Sequence, residues 1–102
     1  MMTSTQVVYW RDIPAQVKVR SGRTRQAKPL SDRFQQAIDE AAMRSGMSGS
    51  DEYLQEWRTV EGPDQDGEPE AIVDRIVAQL EGEYPAERLK KLAAAGGLEA
   101  GS

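Results

Sequence analysis

The 102-residue chain carries 13 Lys plus Arg against 17 Asp plus Glu, a formal net charge of −4, and contains neither His nor Cys. Those two absences exclude Ser-His-Asp and Cys-His catalysis, thiolate chemistry, disulfides and Cys/His zinc or iron–sulfur sites. With 38% apolar and 29% charged residues, the composition suits one globular domain that buries about two-thirds of its unfolded surface.

In chain order, residues 1–4 show no pattern and are expected to fray. Thr5 to Arg11 is rich in β-formers, with Val7, Val8, Tyr9 and Trp10 in succession, and predicts a strand. Arg11 to Ala15 reads as a connection, because Pro14 has no N–H to give a sheet ladder. Gln16 to Arg20 alternates, Val17 and Val19 on one face and Gln16, Lys18 and Arg20 on the other, so the two runs predict an antiparallel hairpin. Ser21 to Pro29 reads as a loop turning at Gly22.

A helix is expected from Ser31, as N-cap, to Gly46, its apolar stripe being Phe34, Ala37, Ile38, Ala41 and Ala42. Ser48-Gly49-Ser50 reads as a linker. Tyr53, Leu54, Trp57 and Val60 fit a helix, while the Trp-Arg-Thr-Val end favours a strand, and a strand is expected over 54–60. Glu61 to Gly67 is an acidic loop. Pro69 then opens a helix carrying Ile72, Val73, Ile76, Val77 and Leu80 and closed by Gly82, and Pro85 opens a shorter one through Leu89 and Leu92. The expected fold is α+β: a small single domain over residues 5–95, with flexible tails at 1–4 and 96–102. Its antiparallel sheet, an N-terminal β-hairpin plus a third strand, is covered by two or three helices.

Charge is divided along the chain. Residues 1–44 balance to +4 and residues 45–102 to −8. Lys18, Arg20, Arg23, Arg25 and Lys28 occupy one stretch with no acid among them, whereas residues 51–70 hold eight acids against Arg58. The basic stretch suits an anionic contact, a protein surface or a phosphate. Stacking of bases on Tyr9 and Trp10 would make it a nucleic-acid contact, but the acidic total and the absence of a nucleic-acid motif weigh against that. A solvated loop, or pairing with the chain's own acidic segment, is the plain alternative.

Candidate chemistry is sparse. Asp39/Glu40 and Asp64/Asp66 are carboxylate pairs of the kind an acid-rich chain produces by chance. Asp64-Gln65-Asp66-Gly67-Glu68 lacks the twelve-residue calcium pattern with its terminal bidentate Glu. Arg11 and Asp12 suit a turn better than a site, and no base is placed to activate the serines. No enzyme activity, metal or cofactor is expected. Both faces of the first strand are apolar, so one of Tyr9 and Trp10 could meet another protein.

The run Val8-Tyr9-Trp10-Arg11-Asp12-Ile13-Pro14-Ala15-Gln16-Val17 resembles the opening of the small bacterial virulence factor domain family. Phe34 to Asp39, Ala41 to Arg44, Tyr53-Leu54 and Glu56-Trp57-Arg58 continue the likeness, which covers about residues 5–60. The family resembles part of conserved virulence factor C, a larger protein with helical repeats, which this chain lacks. The resemblance carries over no catalytic residue and implies an accessory subunit associated with one-carbon metabolism of the tetrahydrofolate or corrinoid kind. A cytoplasmic location is expected separately, since no stretch approaches the roughly 20 apolar residues of a membrane span and the N-terminus has no apolar h-region. The combined expectation is docking onto a larger bacterial protein through Tyr9, Trp10, Lys18, Arg20, Arg23, Arg25 and Lys28, with no membrane partner. The alternative is a nucleic-acid or phosphate-ligand binder using residues 18–28. Trp10→Ala divides the possibilities for that residue, since loss of the fold would assign it to the core.

Overall fold

A computed structural model describes residues 2–47, 49 and 51–99. Three strands open it: β1 Met2–Trp10, β2 Ile13–Ser21 and β3 Thr24–Pro29. Helix α1, Asp32–Arg44, and the single turn α2, Asp51–Gln55, lead to β4, Trp57–Glu61, and β5, Gln65–Asp66. Helices α3, Pro69–Glu83, and α4, Ala86–Ala94, complete the chain. The sheet runs β3-β2-β1-β4, with β5 also on β1, and every pairing is antiparallel. The α+β expectation holds, with five strands and four helices among the described residues.

Directly opposed residues of an antiparallel pair share a face, so the register divides the sheet. Thr5 opposes Val19 and Val7 opposes Val17 on the helix side. Val17, Val19, Thr3, Thr5 and Ser21 are buried there. Helix α3 lies against β2 and β3 and buries Ile72, Val73 and Leu80. Helices α1 and α4 pack on each other. There Phe34, Ala37, Ile38, Ala41 and Ala42 join Leu89, Leu92 and Ala93 in the same core, each large aliphatic contributing about 1.5–3 kcal/mol by leaving water.

Several expectations are corrected. Residues 2–4 are strand, because the Thr3 hydroxyl donates to the Gly67 carbonyl (2.8 Å) and Thr5 to that of Pro63 (3.1 Å), tying the N-terminus to the acidic loop. The connection after β1 is only Arg11-Asp12, and β2 runs straight through Pro14. A register shift makes this feasible: Val8 opposes Gln16 and Tyr9 opposes Pro14, so Ala15 is an extra residue, and a bulge tolerates a proline.

Residues 21–29 form a hairpin in place of the expected loop. Ser21 opposes Thr24 across a two-residue turn whose first residue, Gly22, has φ 58°, a positive value demanded by tight hairpin turns and adopted without strain by glycine. In 53–60 both readings apply in sequence, α2 up to Gln55 and β4 from Trp57. Helix α3 passes through Gly82 to Glu83. Ser31 sits at the N-cap of α1 without capping it; its N–H and hydroxyl donate to Glu81 of α3 instead (2.7 and 2.9 Å). Residues 96–99 are docked, as described below. Residues 1, 48, 50 and 100–102 lie outside the described residues, and with them part of both expected tails and most of the Ser48–Ser50 linker.

Candidate functional site

The β1–β2 turn is a polar knot at one end of the molecule. Arg11 takes a left-handed backbone, φ 53°, and its guanidinium reaches inward. It donates to the Gly96 carbonyl (2.8 Å) and the Ser45 hydroxyl (3.3 Å), meets the Glu56 carboxylate at 3.4 Å, and stands over the Trp10 ring. The Asp12 carboxylate accepts from the Glu99 N–H (2.7 Å) and from Arg58 (3.4 Å), while its own N–H donates to Gly97 (2.9 Å). The C-terminal segment is thereby fastened across the turn. Trp10 is fully buried beneath it; its indole N–H donates to the Tyr53 carbonyl (2.9 Å), and the Tyr53 ring lies tilted against Trp10 and edge-on to Trp57.

The side of the sheet opposite α3 presents a grid of mostly polar side chains, exposed except for the half-buried Gln6. One row across the strands is Glu61, Gln6, Lys18, Ala27; the next is Ser4, Arg20, Arg25. These residues line a hollow of about 500 Å³. Gln6 donates to Glu61 (3.4 Å), the one acid present, and Arg20 Nε donates to the Gly22 carbonyl (3.4 Å). Lys18, Arg20, Arg23 and Arg25 make no ion pair among the described residues. No described carboxylate of the acidic segment 51–70 pairs with them, and of that segment only Glu61 lines the hollow.

The predicted contact residues divide. Lys18, Arg20 and Arg25 converge on the hollow, with Arg23 at the hairpin turn beside it. Lys28, opposite Val17, lies on the helix side and pairs with Asp74 of α3 at 2.7 Å, so it leaves the cluster. Trp10 leaves the contact surface too, because it closes the core and its polar atom is already bonded. Tyr9 belongs to a separate cleft with Asp12, Arg58, Val60, Tyr84, Arg88 and Glu99. There Arg58 covers the Tyr9 ring and Arg88 the Tyr84 ring, with Arg88 bonded to Glu99 at 2.8 Å. Burial pushes the Tyr84 hydroxyl pKa up, with Tyr9 adding to the effect. The cleft's two cations thus meet two carboxylates within it.

Sequence reasoning missed Ser4, Gln6 and Glu61 as neighbours of the basic residues. The alternation of Thr3, Thr5 and Val7 was the signal for Ser4 and Gln6, since it assigns them the open face. Among the described residues no group of three or more acidic side chains is placed to hold a metal ion, and no helix is long and apolar enough to cross a membrane.

The family model described as "Virulence factor" matches residues 8–93. A search of the curated proteins and a search of the solved structures found no match. The match spans most of the chain, from the last three residues of β1 into α4, and the chain belongs to the virulence factor family.

Proposed function

We propose that this member of the virulence factor family is a non-enzymatic accessory module that docks onto an acidic surface of a larger protein through the open face of its sheet. The observation that carries the reading is the convergence of Lys18, Arg20 and Arg25 on one face, where they make no ion pair among the described residues and outnumber the single acid beside them, Glu61. Such a face steers an acidic partner and fixes its orientation, the charge acting most on the rate of encounter. The aromatic residues support a protein partner over a nucleic acid. With Trp10 buried and Tyr9 beneath Arg58, the open face carries no ring on which a base could stack, and stacking is what single-stranded binders rely on.

The test is affinity capture with the wild-type chain and with Lys18→Glu and Arg25→Glu, each with and without nuclease. The expected result is a protein retained by the wild type after nuclease, lost from both variants, and rebinding in purified form with salt-sensitive affinity. Equal retention by the variants overturns the docking face, and retention that nuclease abolishes transfers the reading to nucleic acid. The resemblance further suggests a partner in tetrahydrofolate or corrinoid chemistry, which the identity of the retained protein tests directly.

A further inference from the structure

We propose that Arg20 and Arg25, with Lys18 beside them, form a receptor for a phosphate-class dianion on the open face. The inference rests on reading that face as the contact surface, and it names the chemical group the face takes.

Arg20 and Arg25 are directly opposed across β2 and β3. Opposed residues stand about 4.5–5.5 Å apart at Cβ, and like charges so placed repel. Every arginine outside the β2–β3 hairpin has an anionic or carbonyl partner: Arg11 with Glu56 and Gly96, Arg58 with Asp12 and Arg11, Arg33 with Glu81, Arg44 with Glu40, Arg75 with Gln65, Arg88 with Glu99. Arg25 has none, and Arg20 uses only Nε, on the Gly22 carbonyl. Two guanidinium groups therefore face one hollow with their terminal N–H groups unspent, and Lys18 adds a third positive charge one row away.

The donor set distinguishes between anions. A guanidinium presents a planar fork of N–H groups that grips two oxygens at once. A lone carboxylate has one such edge and satisfies one arginine. A phosphate monoester has three terminal oxygens and about two charges, enough to bridge both forks and relieve their repulsion. Beyond the arginines and Lys18 the hollow is walled by Ser4, Gln6 and Ala27, with Glu61, which accepts from Gln6, as its one acid against three cations. At about 500 Å³ it leaves room for the group that carries the phosphate.

The test is titration of the ¹⁵N-labelled protein with sodium phosphate, chloride holding the ionic strength constant. Saturable amide shifts centred on residues 18–27 are expected, at least tenfold weaker in Arg20→Gln and Arg25→Gln, whose spectra otherwise stay those of the folded wild type. Shifts that never saturate, or that the two variants reproduce unchanged, overturn the site. Glycerol phosphate and a phosphoserine peptide with its serine counterpart then separate a free metabolite from a modified protein; whichever binds more tightly names the source. An oligonucleotide that displaces phosphate while shifting amides across the whole molecule overturns the proposal. Saturable phosphate binding without a retained partner removes the docking reading and keeps this one. A partner lost with Arg25→Glu, without saturable phosphate binding, does the opposite.

Discussion

The two ends of the β1–β2 hairpin answer different physical demands. At the Trp10 end nearly every polar group is spoken for: Arg11 and Asp12 between them bind α1, the α2–β4 junction, β4 and the C-terminal segment. At the Gly22 end, Lys18, Arg20, Arg23 and Arg25 project from an exposed hairpin with no carboxylate partner among the described residues. A bonded charge withdrawn from water, as the Arg11 guanidinium largely is, holds a structure together, because removing one partner strands the other away from water. Exposed, unpaired charge contributes little to stability and remains available for something outside the chain. The Tyr-Trp-Arg-Asp-Ile-Pro block by which the family is recognised thus belongs to the architecture, and the face offered to partners carries no conspicuous motif.

The largest expected effect breaks the knot. Trp10→Ala removes a fully buried ring and the bond to Tyr53, and should cost about 3–5 kcal/mol, a large share of the stability of a domain this size. Urea denaturation measures it; a loss under about 1 kcal/mol would return Trp10 to the surface. Gly97→Ala is next. At φ 90° an added Cβ would stand 2.9 Å from the Trp10 ring, so strain and overpacking together should cost about 1–3 kcal/mol, again read by denaturation. If Gly97→Ala is silent, the C-terminal segment is not fastened over the indole.

This contrast also explains what could be read in the sequence. The helices were legible because their stripes, Phe34 to Ala42 and Ile72 to Leu80, recur at helical spacing, and Pro69 and Gly46 mark ends that local chemistry alone dictates. Strand β3 is not: Thr24-Arg25-Gln26-Ala27-Lys28-Pro29 is exposed throughout and has no apolar face, so its support comes from the ladder with β2 and the contact with α3, neither of which its own residues announce. Pro14 reads as a break in the sequence because a proline is tolerated within a strand only where register shifts, and register depends on a partner. Of the contact residues, the charge of 18–28 was visible but its division was not. Whether Lys28 joins Arg25 or turns to Asp74 depends on which residues oppose Val17.

On the exposed end the sign should reverse. Arg25→Gln removes one of two opposed like charges, so stability should stay within about 0.5 kcal/mol of wild type, with any change upward, while phosphate should raise the melting temperature of the wild type more than that of the variant. A loss above 1 kcal/mol would mean that Arg25 has a structural partner and the hollow is not an open receptor. Lys28→Ala is the internal control. Its pair with Asp74 is half exposed on both sides, so its loss should cost under about 1 kcal/mol and leave partner capture and phosphate binding untouched.

The smallest expected effect lies in the Tyr9–Tyr84 cleft, between these two ends. Tyr84 is held neutral by burial, so its pKa in the folded state lies above the unfolded value of 10.0. As pH rises past 10 the unfolded chain gives up this proton first, and the folded state is disfavoured until its own hydroxyl ionises. The contribution is therefore complete at neutral pH and is lost only under alkaline conditions. Tyr84→Phe keeps the ring against Phe34 and under Arg88 and removes the proton, so it should match the wild type at pH 7 and lose less stability between pH 9 and 11. Parallel stability curves across that range would show that the hydroxyl titrates in water. Tyr84 would then be part of an accessible cleft, and the boundary between the bonded and the open parts of this surface would have to be drawn on its other side.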